Sequence, residues 1–175
     1  MKRDRTDLYE YSRTKKRGRT LNQFMKQAIE LAIQNVQEGG QPFGAVLVKE
    51  NEVVAKGVNE LHHTHDVTGH AEILAIRRAQ EKYQTSDLST FTMYASGFPC
   101  PMCLTAMYYA GIKEAYYCQP TEEARKQGIS TRDMYQELSK ANVDRELTLK
   151  ELPLEPTEKN PMALWKEQRE AAKRV

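Results

Sequence analysis

Two short segments, thirty residues apart, constrain this chain more than any other feature. The first is His70-Ala71-Glu72 and the second is Pro99-Cys100-Pro101-Met102-Cys103. Together they offer one imidazole and two thiolates to a metal, and they leave one carboxylate beside it. Three protein ligands with an open fourth position are typical of a catalytic zinc, whereas a structural zinc is usually closed by four ligands. The two segments therefore predict a metal centre assembled from two places in the fold.

The spacing within each segment predicts where it lies in the fold. His70 and Glu72 are two residues apart and would point in different directions in the middle of a helix, but they can converge at its start. Cys100 and Cys103 are three apart and share one face of a first turn, where Pro101 is tolerated. We therefore expect two helix N-termini to meet at the metal, with their positive dipole ends stabilising the thiolates.

The same residues predict a reaction. A metal held by His70, Cys100 and Cys103 would activate water, and Glu72 could move protons beside it, which suits hydrolysis at an electron-poor carbon. A Cys-x-x-Cys pair by itself could be redox-active, and His-Ala-Glu by itself is common by chance. Finding both at the starts of predicted helices, each after a strand, favours a zinc site with Glu72 as the catalytic residue.

The hydrophobic pattern predicts an α/β fold. Strands are expected over residues 43–48, 52–58, 91–95, 114–118 and 146–151, and helices over 21–36, 70–79, 100–110, 122–126, 132–140 and 163–173. A polar loop is expected over 59–69. Strands that alternate with helices in this way form a sheet with parallel crossovers and helices on both faces.

The composition fits one domain of 175 residues with a charged extension in front of it. Residues 1–20 carry eight lysines and arginines against three acids, while the net charge of the chain is only +2. We divide the chain into a flexible basic extension, 1–19, and a domain, 20–175. The extension could follow the phosphates of an RNA, but a solvated segment is the simpler interpretation, and the remaining residues do not indicate a polyanionic substrate.

The composition also bears on location. No apolar run approaches the roughly 20 residues that span a bilayer, and the charged first residues do not resemble a secretory signal. The chain has three cysteines, two of them in the Cys-x-x-Cys pair. This usage favours a reducing compartment over a disulfide framework, so we expect a cytoplasmic protein.

The two motifs resemble those of the zinc-dependent cytidine deaminase-like superfamily. From Leu21 to Lys173 the chain is similar to its nucleobase branch, which includes bacterial guanine deaminases and tRNA adenosine deaminases. The segments Pro101-Met102-Cys103-Leu104 and Pro161-Met162-Ala163-Leu164-Trp165 look more like the guanine deaminases. The resemblance implies a three-layer α/β/α sandwich with a five-stranded mixed sheet, one Zn²⁺, a nucleobase substrate, and a homodimer whose C-terminal segments cross to the partner and close the pocket.

The resemblance also implies contacts to the base. Phe43 would line the base pocket, Asn59 would hydrogen-bond the base, and the backbone of Ala71 would help to orient it. Tyr109 would face the partner's substrate and could stack on it. The guanine-reading acid of the family falls at Thr131 in our register, with Asp133 two residues further on as the candidate to replace it.

The missing acid at Thr131 leaves the substrate open, and two further departures lie near the site. Phe98 stands where the family commonly has a glutamate, and Val67 and Gly69 replace a proline and an alanine. The preferred hypothesis is hydrolytic deamination of guanine or a related purine. The alternatives are a tRNA adenosine deaminase that uses the basic extension, and a binding protein that keeps zinc but has lost catalysis.

Overall fold

The structure is a computed structural model that describes residues 22–129, 131–155 and 157–173. The predicted basic extension lies outside these residues. The chain divides into two compact units, Met1–Gln136 and Glu137–Val175. The first unit holds the sheet and both metal-binding motifs.

The helices and strands follow the predicted order closely. The helices are α1 (Gln23–Gln37), α2 (Leu61–Thr64), α3 (Ala71–Tyr83), α4 (Pro101–Tyr109), α5 (Thr121–Lys126), α6 (Arg132–Ser139) and α7 (Pro161–Ala172). The strands are β1 (Gly44–Lys49), β2 (Glu52–Val58), β3 (Thr92–Gly97) and β4 (Glu114–Gln119). The helix α2 was not predicted; it forms within the segment expected to be a loop.

The strands form one mixed sheet in the order β2-β1-β3-β4. β1 is antiparallel to both β2 and β3, while β3 and β4 are parallel. Because β3 and β4 run in the same direction, the segments that follow them leave the sheet at the same edge. The metal-binding Cys100 follows β3 at this edge, so the sheet topology places the site there.

Helices cover both faces of the sheet, as predicted. On one face, Phe24, Met25 and Ala28 of α1 pack with Val46 and Tyr94 of the sheet. On the other face, the helix α3 packs with the alternate residues of the same strands, and this cluster contains Ala45, Leu47, Ala71, Ala75, Ile76 and Met93. Neighbouring side chains of a strand point to opposite faces, so β1 supplies both layers of the core.

A close approach fixes α3 on the sheet. A Cβ atom placed on Gly57 of β2 would come within 2.0 Å of the Ala71 carbonyl oxygen and 3.0 Å of the Ala75 nitrogen. Only a residue without a side chain allows this contact, so Gly57 brings the first turn of α3, which carries Glu72, down onto the strand.

The fifth strand was predicted wrongly. Residues 146–151 form no strand within the part of the chain that the structure describes, and Leu147 and Leu149 are exposed. Their alternating apolar pattern matches a strand, but a strand also needs a neighbour to pair with, and the described sheet has four strands.

The second unit holds a 3-10 helix, Asn142–Asp144, and most of its regular structure is α7. Asn160 caps α7 by accepting hydrogen bonds from the backbone N–H groups of Met162 and Ala163 at 2.9 and 3.3 Å. The Arg169 guanidinium lies 4.6 Å from the centre of the Trp165 ring. In the described ranges of both units, each helix is too short or too polar to cross a bilayer.

Candidate metal centre and active site

Two zinc-ligand candidates occupy the N-cap positions of two helices. His70 precedes α3 and Cys100 precedes α4, and both have extended backbone angles. Cys103 lies in the first turn of α4, where its backbone N–H donates to the Cys100 sulfur at 3.5 Å. The ligand atoms of the three residues all lie within 4.8 Å of one another. The structure therefore brings together the three predicted ligands at two helix N-termini.

The distances between these atoms fit a tetrahedral zinc ion. The Cys100 Sγ lies 3.4 Å from the His70 Nδ1 and 3.5 Å from the Cys103 Sγ, and the Cys103 Sγ lies 3.6 Å from the His70 Nδ1. Zinc bonds of about 2.3 Å to sulfur and about 2.0 Å to nitrogen, at tetrahedral angles, place the ligand atoms roughly 3.5–3.8 Å apart. The soft thiolate donors also suit zinc better than a hard cation.

Glu72 lies beside this centre. It is the second residue of α3 and only 7% exposed. The Cys103 thiol donates to the Glu72 Oε2 at 3.4 Å. The carboxylate is therefore in contact with a ligand residue.

The ionisable groups of the centre shift one another's pKa values. The hydrogen bond with Cys103 lowers the pKa of the Cys100 thiol to about 4. The same bond raises the pKa of Cys103, and the bond to Cys100 raises the pKa of His70. Burial raises the pKa of the Glu72 carboxyl. A carboxyl whose pKa is raised by burial is suited to exchanging protons near neutral pH.

A cavity of about 750 Å³ opens onto the centre. His70, Glu72 and Cys100 line it. Its other walls come from the outer face of α1, from the segment before β1, from the end of β3 and from the segment that follows β4; they include Ile29, Ile33, Val36, Gln41, Phe43, Ser96, Phe98, Gln119, Glu123, Gln127 and Thr131. The cavity combines a metal centre with apolar walls and a few polar groups, which is typical of a small-molecule site.

The predicted base contacts divide into two groups. Phe43 lines the cavity, and so does Thr131, whereas Asp133 is exposed in the first turn of α6 and is not among the described lining residues. Ala71 is buried at the start of α3, also outside the lining. Tyr109 is 88% exposed at the end of α4, outside the described lining of the cavity.

Asn59 is buried and held by its neighbours. Its side-chain amide donates to the Gln41 Oε1 at 3.1 Å, and its side-chain oxygen accepts from the Leu61 backbone N–H at 3.1 Å. The Asn35 side chain donates to the Asn59 carbonyl at 2.9 Å. Gln41 and Leu61 both line the cavity, so the hydrogen bonds of Asn59 hold this part of the cavity wall in place. The hydrogen bond from Asn59 to a base stays a prediction.

Phe98 forms an aromatic wall beside the metal ligands. Its ring lies 5.0 Å from the Tyr117 ring and 6.0 Å from the Tyr135 ring. The Tyr135 hydroxyl donates to the Pro99 carbonyl oxygen at 2.8 Å, which ties α6 to the loop that carries Cys100. The departure from a family glutamate at this position therefore replaces a polar neighbour of the centre by an apolar surface.

Glu123 and Gln41 line the cavity, although the sequence pattern did not predict this. The signal for Glu123 was its place just after β4, on the edge of the sheet where Cys100 follows β3. Gln41 had no signal of its own, because it reaches the cavity through the turn between α1 and β1 and through its bond to Asn59.

Comparison with known proteins gives a consistent set of similarities. Residues 19–119 match the cytidine and deoxycytidylate deaminase zinc-binding region. A guanine deaminase of Bacillus subtilis is 36% identical over 145 residues, which are 82% of this chain and 92% of that protein. A crystal structure of Bacillus subtilis guanine deaminase aligns with a TM-score of 0.76 and 33% identity, over 84% of this chain and 92% of that one.

Similarity to tRNA-specific adenosine deaminases covers a shorter part of the chain. A tRNA-specific adenosine deaminase of Aquifex aeolicus is 34% identical over 94 residues, which are 54% of this chain and 62% of that protein. The similarity to guanine deaminase thus extends over most of both chains, whereas the similarity to the tRNA enzyme covers about half of this one.

Proposed function

The chain belongs to the family defined by the cytidine and deoxycytidylate deaminase zinc-binding region, and we propose that it acts on guanine or a closely related purine base. As a member of this family it is a zinc-dependent enzyme that removes an amino group from a nucleobase by hydrolysis. The observation that carries the proposal is the buried Glu72 carboxylate, 3.4 Å from a ligand sulfur and lining the same cavity as His70 and Cys100.

The proposed mechanism assigns the proton transfers to Glu72. Zinc bound by His70, Cys100 and Cys103 would act as a Lewis acid that lowers the pKa of a water toward neutrality. Glu72 would accept a proton from the water whose oxygen attacks the ring carbon bearing the amine. It first returns this proton to a ring nitrogen and then moves the remaining proton of the added oxygen to the amine, so that the C–N bond breaks, ammonia leaves and a carbonyl remains on the ring.

The positions of Phe43 and Phe98 favour a flat, aromatic substrate. Both rings line the cavity next to the metal ligands, and an aromatic wall favours a planar ring by stacking. We propose that the Phe43 ring contacts the base, that the Ala71 backbone helps to orient it, and that Asn59 anchors it together with Gln41, which receives the Asn59 amide hydrogen bond.

Ammonia release tests the proposal. The zinc-loaded protein should release ammonia from guanine, and removal of zinc by a chelator should abolish this release until zinc is added back. A panel of adenine, cytosine and their nucleosides serves as the comparison. Release from adenine or cytosine but not from guanine would overturn the choice of substrate, and no release from any base would overturn the proposed function.

We also infer a homodimer with exchanged C-terminal segments. Tyr109 on α4, and Leu164 and Trp165 on α7, are large and exposed, which suits surfaces that another subunit covers. In this arrangement Tyr109 contributes to the partner's pocket. The cytoplasmic location, which rests on cysteine usage, is likewise a proposal.

A tRNA adenosine deaminase is the second candidate. The similarity to the tRNA-specific enzymes and the basic residues before position 20 favour it. An RNA affinity that falls with salt and collapses when residues 1–19 are deleted would support this candidate. Full activity on free bases without RNA would count against it.

A further inference from the structure

A second carboxylate lines the cavity in addition to Glu72. Among the described lining residues, Glu72 and Glu123 carry carboxylates, and Glu72 belongs to the metal centre. The other polar side chains of the walls are mostly amides and hydroxyls, such as Gln41, Gln119 and Thr131. Amides and hydroxyls both donate and accept hydrogen bonds, whereas an ionised carboxylate only accepts. Glu123 therefore imposes a stricter chemical requirement on a substrate than its neighbours do.

The sheet explains why Glu123 reaches the same cavity as the metal ligands. Gly97 at the end of β3 lies opposite Gln119 at the end of β4 in the parallel pair. The Phe98 backbone N–H donates to the Gln119 carbonyl at 2.9 Å, so the two strands stay paired as they leave the sheet. The loop with Cys100 follows β3, and α5 with Glu123 follows β4.

The neighbouring Glu122 provides a contrast on the same helix. Glu122 points to Arg132 at 3.8 Å, its side chain is 62% exposed, and it is not among the described lining residues. Glu123 is less exposed and lines the cavity, and its Oε2 accepts from the Lys126 Nζ at 3.1 Å. The hydrogen bond from Lys126 lowers the pKa of Glu123. Glu123 is therefore an ionised acceptor at neutral pH.

We propose that Glu123 is a specificity-determining residue that accepts a hydrogen bond from a ring N–H of the free base, on the side away from the reacting carbon. This inference rests on the proposed function. When the amine-bearing carbon of guanine faces Glu72, the five-membered ring points away from the metal, and one nitrogen of that ring carries a hydrogen in the free base. In a nucleoside or an RNA this nitrogen carries the sugar. The carboxylate would also repel the phosphates of an RNA.

The test compares guanine with 9-methylguanine, whose five-membered ring has no N–H. Ammonia release gives kcat/KM for both bases with the unchanged protein, with Glu123→Gln and with the matched control Glu122→Gln. We expect the unchanged protein to favour guanine about tenfold or more, the range for a hydrogen bond to a charged group. Glu123→Gln should lower this preference about tenfold, because a neutral amide oxygen accepts a weaker hydrogen bond from the ring N–H than an ionised carboxylate does. Glu122→Gln should keep the preference.

The outcomes separate this inference from the function on which it rests. If the unchanged protein has equal kcat/KM for the two bases, the proposed role of Glu123 is wrong, and no variant is needed to show it. An unchanged preference in Glu123→Gln, with normal zinc content and circular dichroism, would also overturn it. If the unchanged protein releases ammonia from neither base, the proposed function itself fails.

Discussion

At the scale of single residues, the metal ligands depend on the first turns of two helices. His70 and Cys100 are the N-cap residues of α3 and α4, so the backbone N–H groups of both first turns point toward the centre. These groups and the helix dipoles favour negative charge, which suits thiolates. Glu72 is the second residue of α3, directly after Ala71. Its side chain can therefore reach the metal ligands without being a ligand itself.

Glu72→Gln separates zinc binding from catalysis. The amide keeps the size of the side chain but cannot accept and return protons, so we expect kcat to fall by about 10²- to 10⁴-fold. Zinc content should stay at one ion per chain, because Glu72 is not a ligand. Elemental analysis and ammonia release check both expectations, and a fully active Glu72→Gln protein would remove Glu72 from the mechanism.

Cys103→Ala removes one ligand and should abolish both zinc binding and activity, since two protein ligands do not hold a catalytic zinc tightly. Cys118→Ala is the matched control, because Cys118 lies on β4, is half-buried and is not part of the ligand group. Elemental analysis of the purified proteins measures the difference. A full complement of zinc in Cys103→Ala would show that the ligand assignment is wrong.

At the scale of helices and strands, the order of the elements could be predicted because it depends on local patterns. The predicted second strand, 52–58, matches the range of β2, and the starts of α3 and α4 follow from the motifs themselves. The residues that line the cavity could not be predicted in the same way. Glu123 and Gln41 reach the cavity through strand pairing and turn geometry, and these depend on residues far away in sequence.

Two local errors have the same origin. The pattern at 146–151 has the period of a strand, but pairing depends on a neighbour that the sequence does not identify. The histidine-rich segment contains α2, where the His62 ring lies 3.8 Å from the His63 ring and its nitrogens are buried. Polar composition predicted a solvated loop there, but the segment forms a short helix whose His62 ring lies close to Gly40.

Gly57→Ala tests the close contact between α3 and the sheet. Its new Cβ would overlap the Ala71 carbonyl oxygen, so α3 must move and carry Glu72 with it. We expect the free energy of unfolding to fall by about 1–3 kcal/mol. Lys56→Ala changes the exposed residue before Gly57 and should leave the free energy of unfolding nearly unchanged. Denaturant unfolding of both variants, with ammonia release measured beside it, checks the result; equal stability would show that the contact is not tight.

At the scale of the whole molecule, the proposed dimer would complete the site. Tyr109 is far more exposed than a core aromatic and is not among the described residues that line the cavity of its own chain. A site that needs the partner's Tyr109 would be active only in the assembled form, which makes subunit exchange an informative experiment.

Mixing two impaired variants tests this arrangement. Glu72→Gln lacks its own proton carrier, and Tyr109→Ser is expected to weaken the partner's pocket. A mixed dimer would contain one site with both native residues, so random exchange should restore about a quarter of the native activity. Light scattering confirms the dimer. Activity equal to the sum of the separate variants would place Tyr109 outside the partner's site.

The most direct test of hydrolytic deamination is the fate of the water oxygen. The zinc-loaded protein would be incubated with guanine in ¹⁸O-labelled water, and the product and ammonia would be measured together by mass spectrometry and an enzymatic assay. The proposed chemistry predicts one ¹⁸O atom on the product ring for each ammonia released, and product formation about 10²- to 10⁴-fold slower with Glu72→Gln. Ammonia release without ¹⁸O in the product, or no release at all, would contradict it.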